Sequence, residues 1–181
     1  QITNKVLESY RSLCVQFYDF HKHTAPEDGL QFYLTQAQGC EGPILEAMCG
    51  SGRYLRPMLD LGLDIDGIDA SPEMLAACRK HCEDNGTEVP NLYQQFLDSL
   101  QLPRKYGFVF IPAGSFGLIT DLQSIKTSLR LLHDHMLPEA KLIIEVETPD
   151  ARPTEFGAWR GGDWIRCAEN VKILMSGVNR S

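Results

Sequence analysis

The sequence predicts an α/β fold: a doubly wound, mostly parallel sheet with helices on both faces. Three observations carry this. Apolar runs of strand length recur at residues 43–48, 63–68, 91–97, 106–111 and 141–148. Segments with apolar residues three and four apart separate most of them, so strands alternate with helices and the connections are crossovers. The first run is broken by Cys49-Gly50-Ser51-Gly52, a glycine turn feeding a helix, and the next strand ends in an acid, Asp69.

The stretch from Pro43 to Ser71 organises the rest. Pro43-Ile44-Leu45-Glu46-Ala47-Met48 is apolar enough for a parallel strand buried on both faces. Two glycines in the turn permit backbone angles closed to other residues and a close approach of ligand to main chain. Residues 53–61 have helical spacing, with Leu55, Met58, Leu59 and Tyr54 on the buried side, and Gly62 is placed to stop the helix. Asp69 follows Gly50 by 19 positions. A carboxylate about that far past a glycine turn accepts hydrogen bonds from ribose hydroxyls, so an adenosine-type ligand is expected. A dinucleotide fingerprint requires a third glycine for close helix–strand packing, and Leu55 stands there instead. Glu46 would meet a pyrophosphate with like charge. It suits a ligand with an ammonium or sulfonium group.

On these residues, ILEAMCGSGRYLRPMLDLGLDIDGIDASPEML resembles the core of a class I S-adenosylmethionine-dependent methyltransferase of small-molecule type. That family's E/D-x-x-C/A-G-x-G and, after it, G-x-D-x-S-x-x-M-L are both present and correctly spaced. The resemblance implies a Rossmann-like fold, S-adenosyl-L-methionine as cofactor and a small-molecule methyl acceptor. It implies cofactor contacts from Glu46 and Ala47, from Cys49, Gly50, Ser51 and Gly52 through their backbone, and from Asp69, Ala70 and Met74. Leu97 and Asp98 would hold adenine. Pro112 and Ala113 would line the reacting side. Tyr18, in a Tyr18-Asp19-Phe20 segment similar to one that lies over the cofactor in many members, is a cofactor or substrate candidate; an aromatic packed on a helix end is the equal alternative.

The other elements follow in order. Residues 3–20 have Val6, Tyr10, Leu13, Cys14 and Phe17 at helical spacing. Residues 25–29 form a turn, and residues 30–38 a short helix ending at Gly39. Ser71 is a helix cap, with Pro72 in the first turn and Glu73 near the positive end; Met74, Leu75, Ala77 and Cys78 supply the apolar side. Asp121 opens a helix whose apolar face is Leu122, Ile125, Leu129, Leu132 and Met136, with Pro138 after its end. In the strand at 141–148, Glu145 and Glu147 alternate with apolar residues. Ser115 is either a substrate contact or a turn hydroxyl. Asp163–Ala168 and Val171–Ser176 suggest a hairpin around Glu169-Asn170. The terminal strand–helix–strand of the resembled fold is not evident, so its last strands are expected to be incomplete or missing.

Composition sets outer bounds. One domain is expected over residues 1–181: a helical cap at 1–42, a cofactor-binding core at 43–149 and an irregular or β segment at 150–181. Hydrophobic residues make up 43%, enough for a core, and no apolar run reaches membrane-spanning length. The net charge of -7 disfavours a broad basic surface, though not a local basic patch, so nucleic acid is not an expected partner. Six cysteines form no disulfide pattern and no leader is visible, which points to reduced thiols and a cytoplasmic protein. His21-x-His23, His133-x-His135 and Cys78-His81-Cys82 lack further ligands at zinc spacing, so no metal is assigned.

Methyl transfer from a sulfonium is a direct displacement that needs no protein nucleophile. None is nominated, and the catalytic residues stay open. Tyr18, His21 and Glu147 are candidates for a general base if the acceptor needs one. Two rival readings remain: a non-catalytic methyltransferase-like binding protein, and a NAD(P)-dependent oxidoreductase. The second is disfavoured by Glu46, by Leu55 and by the lack of an evident catalytic Lys or Tyr-x-x-x-Lys.

Overall fold

The computed structural model describes Val15, residues 24–148, and the backbone of residues 159–168 and 171–178. Its elements are α1 (Glu27–Ala37), β1 (Ile44–Ala47), α2 (Leu55–Asp60), β2 (Ile65–Asp69), α3 (Pro72–Asp84), β3 (Leu92–Gln94), β4 (Tyr106–Ile111), α4 (Leu122–Asp134) and β5 (Met136–Ile144). β6 (Trp159–Ala168) and β7 (Val171–Val178) pair antiparallel. The first five strands form one sheet in the order β3-β2-β1-β4-β5, parallel at every pairing. β1 therefore has β2 on one side and β4 on the other. That reversal of strand order opens a crevice at the carboxyl ends of the strands.

Strand alternation divides the core in two. Ile44, Ile65, Phe108 and Phe110 face one side, packed by Tyr33 of α1, Leu55 and Met58 of α2, and Leu75 and Cys78 of α3. Leu45, Ala47, Ile68, Val109 and Ile111 face the other, under Leu97, Leu100, Phe116 and Leu132. Both faces of the sheet are thus covered, which is why these strands read as continuous apolar runs. The caps behave as their residues require. Ser71 Oγ accepts the Met74 N–H at 3.1 Å, and Asp121 Oδ2 accepts the Ser124 N–H at 2.7 Å. Gly62, at φ 80°, ends α2.

Leu55 occupies the third-glycine position because the room comes from the opposite side. A Cβ on Gly67 would sit 2.7 Å from Leu55 Cδ1 and 2.9 Å from Cys49 Sγ. The close helix–strand approach is kept, with the glycine moved from helix to strand.

Several expectations are corrected. β3 is shorter than residues 91–97, and Leu97–Ser99 is a 3-10 turn. β5 begins at Met136 and ends at Ile144, so Pro138 lies inside it and Glu145 and Glu147 lie beyond it. Three extra residues bulge from its amino half between the Tyr106↔Met136 and Phe108↔Lys141 pairs. On α4, Leu122 and Leu129 are exposed; only Leu132 of that expected apolar face is fully buried, since Ser128 shares its side. His135 has a structural part that spacing did not suggest. Its Nε2 accepts the Leu102 N–H at 3.0 Å, which leaves Nδ1 to donate to the Leu131 carbonyl at 2.8 Å. The helix expected at 3–20, with Tyr18 and His21, lies outside the described residues apart from Val15.

Candidate functional site

The crevice is built from four segments that meet at the carboxyl edge. The first is the turn after β1. Met48, Gly50 and Gly52 all have positive φ, at 59°, 55° and 81°, so left-handed residues alternate with Cys49 and Ser51. Three of the turn's N–H groups are committed within the fold: Cys49 donates to the Ile68 carbonyl at 2.8 Å, Gly52 to the Cys49 carbonyl at 3.0 Å, and Gly50 to Asp69. Gly52 is fixed from below as well: a Cβ there would sit 2.6 Å from Cys78 Sγ. Met74 lies under Gly50, its Sδ 3.9 Å from where a Cβ would stand.

The second segment is the end of β2. Asp69 reaches across the turn, and its Oδ2 accepts the Gly50 N–H at 2.8 Å while Oδ1 accepts the Ser71 N–H at 2.8 Å. Burial pushes its pKa up; the Ser71, Gly50 and Ala70 N–H groups pull it back. The carboxylate still has a lone pair to offer a hydroxyl. Ala70 is half-buried behind it. The third is the strip after β3. The Gln95 N–H donates to the Asp69 carbonyl at 3.1 Å, bringing this strip to the same edge. Leu97 is 5% exposed and packed in the core, so only its backbone can face a ligand, whereas Asp98 beside it is half-buried.

The fourth segment follows β4. Pro112 is buried and Ala113 exposed. Ala113 and Gly114 are both left-handed, at φ 59° and 68°. A non-glycine residue there is strained and needs support. Glu145 gives it, accepting the Ala113 N–H at 2.9 Å. The same Oε2 accepts the Tyr33 hydroxyl at 3.3 Å. Tyr33 packs edge-on to Tyr54 (centroids 5.4 Å apart) and tilted on Phe110 (4.7 Å). Burial, and then the Glu145 charge, push its pKa far up, so it stays a donor.

The electrostatics of the turn are unusual. Glu46 is 1% exposed. Burial pushes its pKa to about 8, against the Leu55 N–H and the Arg53 guanidinium, which favour the charged form. Its Oε2 has no partner, nor have Ser51 Oγ and Arg53 Nε. Among the described residues four buried side-chain polar atoms lack a partner, and these three lie within one eight-residue stretch; Ser128 Oγ is the fourth. Buried polar groups are otherwise almost always bonded, so the cluster calls for a ligand with both an acceptor and a donor. Arg53 is the residue that motif reading missed. It sits directly after the glycine turn, is 9% exposed and stacks on the Tyr54 ring at 5.5 Å. An arginine directly after the glycine turn was its only trace in the sequence. Burial pushes the Cys49 and Cys78 thiols up, so neither is a nucleophile. Among the described residues no cluster of three or more His, Cys, Asp or Glu could hold a metal. A separate hollow opens at the opposite edge, between Glu41, Gly107 and the β5 bulge.

Residues 44–139 match the model of a family described as a methyltransferase domain. A curated relative, the dTDP-3-amino-3,6-dideoxy-alpha-D-glucopyranose N,N-dimethyltransferase of Streptomyces fradiae, is 24% identical over 127 residues; the match covers 70% of this chain and 47% of the relative. The chain thus spans about half the length of that relative. Among solved structures, an S-adenosylmethionine-dependent methyltransferase from Clostridium acetobutylicum superposes with a TM-score of 0.71 at 15% identity, covering 90% of this chain and 77% of that one. A sugar N-methyltransferase from Streptoalloteichus sp. gives 0.64 at 19% identity, covering 92% and 65%. These likenesses establish the fold, and the family match spans more than half the chain. The chain belongs to the methyltransferase-domain family.

Proposed function

We propose that the chain binds S-adenosyl-L-methionine across the carboxyl edge of its sheet and directs methyl transfer to a small-molecule acceptor. The observation that carries this is the run of unpartnered buried groups from Glu46 to Arg53. An amino-acid zwitterion answers it: its ammonium pairs with Glu46, its carboxylate with Ser51 and Arg53. Asp69, already aimed over the turn, takes the ribose hydroxyls. Asp98 and the Leu97 backbone take adenine, Ala47, Cys49, Gly50, Gly52, Ala70 and Met74 shape the cradle, and Pro112 and Ala113 border the acceptor side. The cofactor supplies an electrophilic methyl group on a sulfonium; the chain supplies alignment and a dry, charged surround. No general base is assigned. A dinucleotide is a poor fit, because Glu46 lies under the position its pyrophosphate would take.

The named activities of the relatives, one on an amino sugar and one on a sugar, support a small-molecule acceptor. Cytoplasmic placement belongs to the same proposal. Among the described residues no helix is long and apolar enough to cross a membrane, and Cys40, Cys49, Cys78 and Cys82 are free thiols. Residues 43–149 are proposed as the cofactor-binding part of a single domain. Calorimetric titration with S-adenosylhomocysteine, with NAD as control, tests the reading. The expected result is micromolar binding of the first alone, weakened at least tenfold by Arg53→Ala. Preference for NAD, or no binding by folded protein, overturns it.

A further inference from the structure

We propose that Glu145 is the acceptor-side carboxylate of the crevice, selecting an acceptor that arrives as a cation: a primary or secondary amine. The inference rests on the cofactor reading above. Sheet order gives the placement. Asp69 ends β2, one strand to one side of β1, and Glu145 follows β5, two strands to the other side. With strands about 4.8 Å apart, the two carboxylates bracket the glycine turn across about 14 Å of edge. A ligand whose ribose is held at Asp69 therefore extends over β1 toward β4, and what approaches from beyond β4 meets Glu145.

Glu145 is oriented but not saturated. Both of its donors, the Ala113 N–H and the Tyr33 hydroxyl, go to Oε2. The residue stays exposed, and Oε1 accepts no hydrogen bond among the described residues. Tyr33 is 3% exposed and locked among Phe32, Tyr54 and Phe110, so the carboxylate is held in place before anything binds. An open oxygen on a fixed carboxylate is a ready partner for N⁺–H donors. The surroundings share its sign. Glu147 lies against the Gly114 turn, its Cγ 3.5 Å from where a Cβ would stand, and Glu46 has a buried, unpartnered Oε2. Arg53 is the opposing charge, and in the reading above it answers the cofactor's carboxylate. An anionic acceptor would be repelled here and a neutral hydroxyl would gain one hydrogen bond. An ammonium gains the bond and the charge, and sheds one proton to solvent before its nitrogen lone pair can take the methyl group.

The test compares two probes in calorimetry. Sinefungin carries an amino-bearing carbon in place of the methylsulfonium; S-adenosylhomocysteine has an uncharged thioether there. Glu145→Gln keeps the shape and the acceptor for Ala113 but removes the charge. For a partly exposed carboxylate acting over several ångströms, sinefungin should weaken about fivefold or more while S-adenosylhomocysteine stays within about twofold. Tyr33→Phe keeps the charge and should spare both within about threefold, which separates charge from packing. Equal changes for the two probes in Glu145→Gln, or none, overturn the assignment. Failure of both probes to bind the unaltered protein overturns the cofactor reading instead.

Discussion

On the proposed function, Glu46 should make ligand binding a proton-linked event. In the free protein, burial holds its pKa at about 8. At pH 6 it is therefore neutral, and it must release a proton before it can pair with a ligand ammonium. Affinity for S-adenosylhomocysteine should then rise with pH. The slope approaches one proton per ligand well below the pKa, about tenfold in Kd per pH unit. From about pH 5.5 to about pH 7 this amounts to roughly 30-fold, or about 2 kcal/mol. Arg53, Arg56 and Asp69 act on the same carboxyl, but none removes its burial. Calorimetry in two buffers of different ionisation enthalpy reads the proton directly: close to one released per ligand at pH 6, falling toward zero above pH 9. Glu46→Gln should flatten both the affinity profile and the proton count. The stability of the free protein has the opposite sign. A carboxyl whose pKa is raised on folding binds more protons folded than unfolded, so stability falls as pH rises from about 4.5 through about 8. An affinity independent of pH over that range would refute the reasoning.

Three further outcomes are expected. Gly67→Ala should destabilise by about 1–3 kcal/mol in urea melts, because its Cβ meets Leu55 Cδ1 at 2.7 Å; adding Leu55→Ala should cost clearly less than the two single changes summed. Gly52→Ala places a Cβ 2.6 Å from Cys78 Sγ at φ 81°; it should lower both the melting temperature and ligand affinity, with Cys78→Ala restoring part of the former. Arg104→Met strips a bidentate partner from Asp66, which is 1% exposed and otherwise held by the Tyr106 hydroxyl and the Asn91 amide. The loss should be about 3 kcal/mol by chemical denaturation, and Asp66→Asn in the same background should recover some of it.

The sheet, its crossovers and the turn were legible because each rests on local signals. Buried parallel strands are apolar throughout, glycines mark left-handed backbone, and Ser71 and Asp121 cap the helices that follow. Tertiary accommodation was not legible. That Gly67 yields room to Leu55 depends on a contact between helix and strand, not on a spacing rule. The Asp64–Arg104–Asp66 network links positions 38 and 40 residues apart. The start of β5 was misread because a bulge hides Met136–Ala140 behind a proline and a left-handed Glu139. At the site, the motif pointed to Glu46, the turn and Asp69. Arg53, Tyr33 and the pairing of Glu145 with Ala113 emerged only when α1 and the β4 loop were brought to one edge.

The Glu46–Arg53 turn and Asp69 are proposed to hold an S-adenosyl ligand. Backbone amide shifts during titration with S-adenosylhomocysteine test it most directly. The largest changes are expected at Gly50, Ser51, Gly52 and Asp69, with smaller ones near Asp98 and Ala113. Changes centred instead on Glu41, Gly107 and Ala140, at the opposite edge of the sheet, would contradict it.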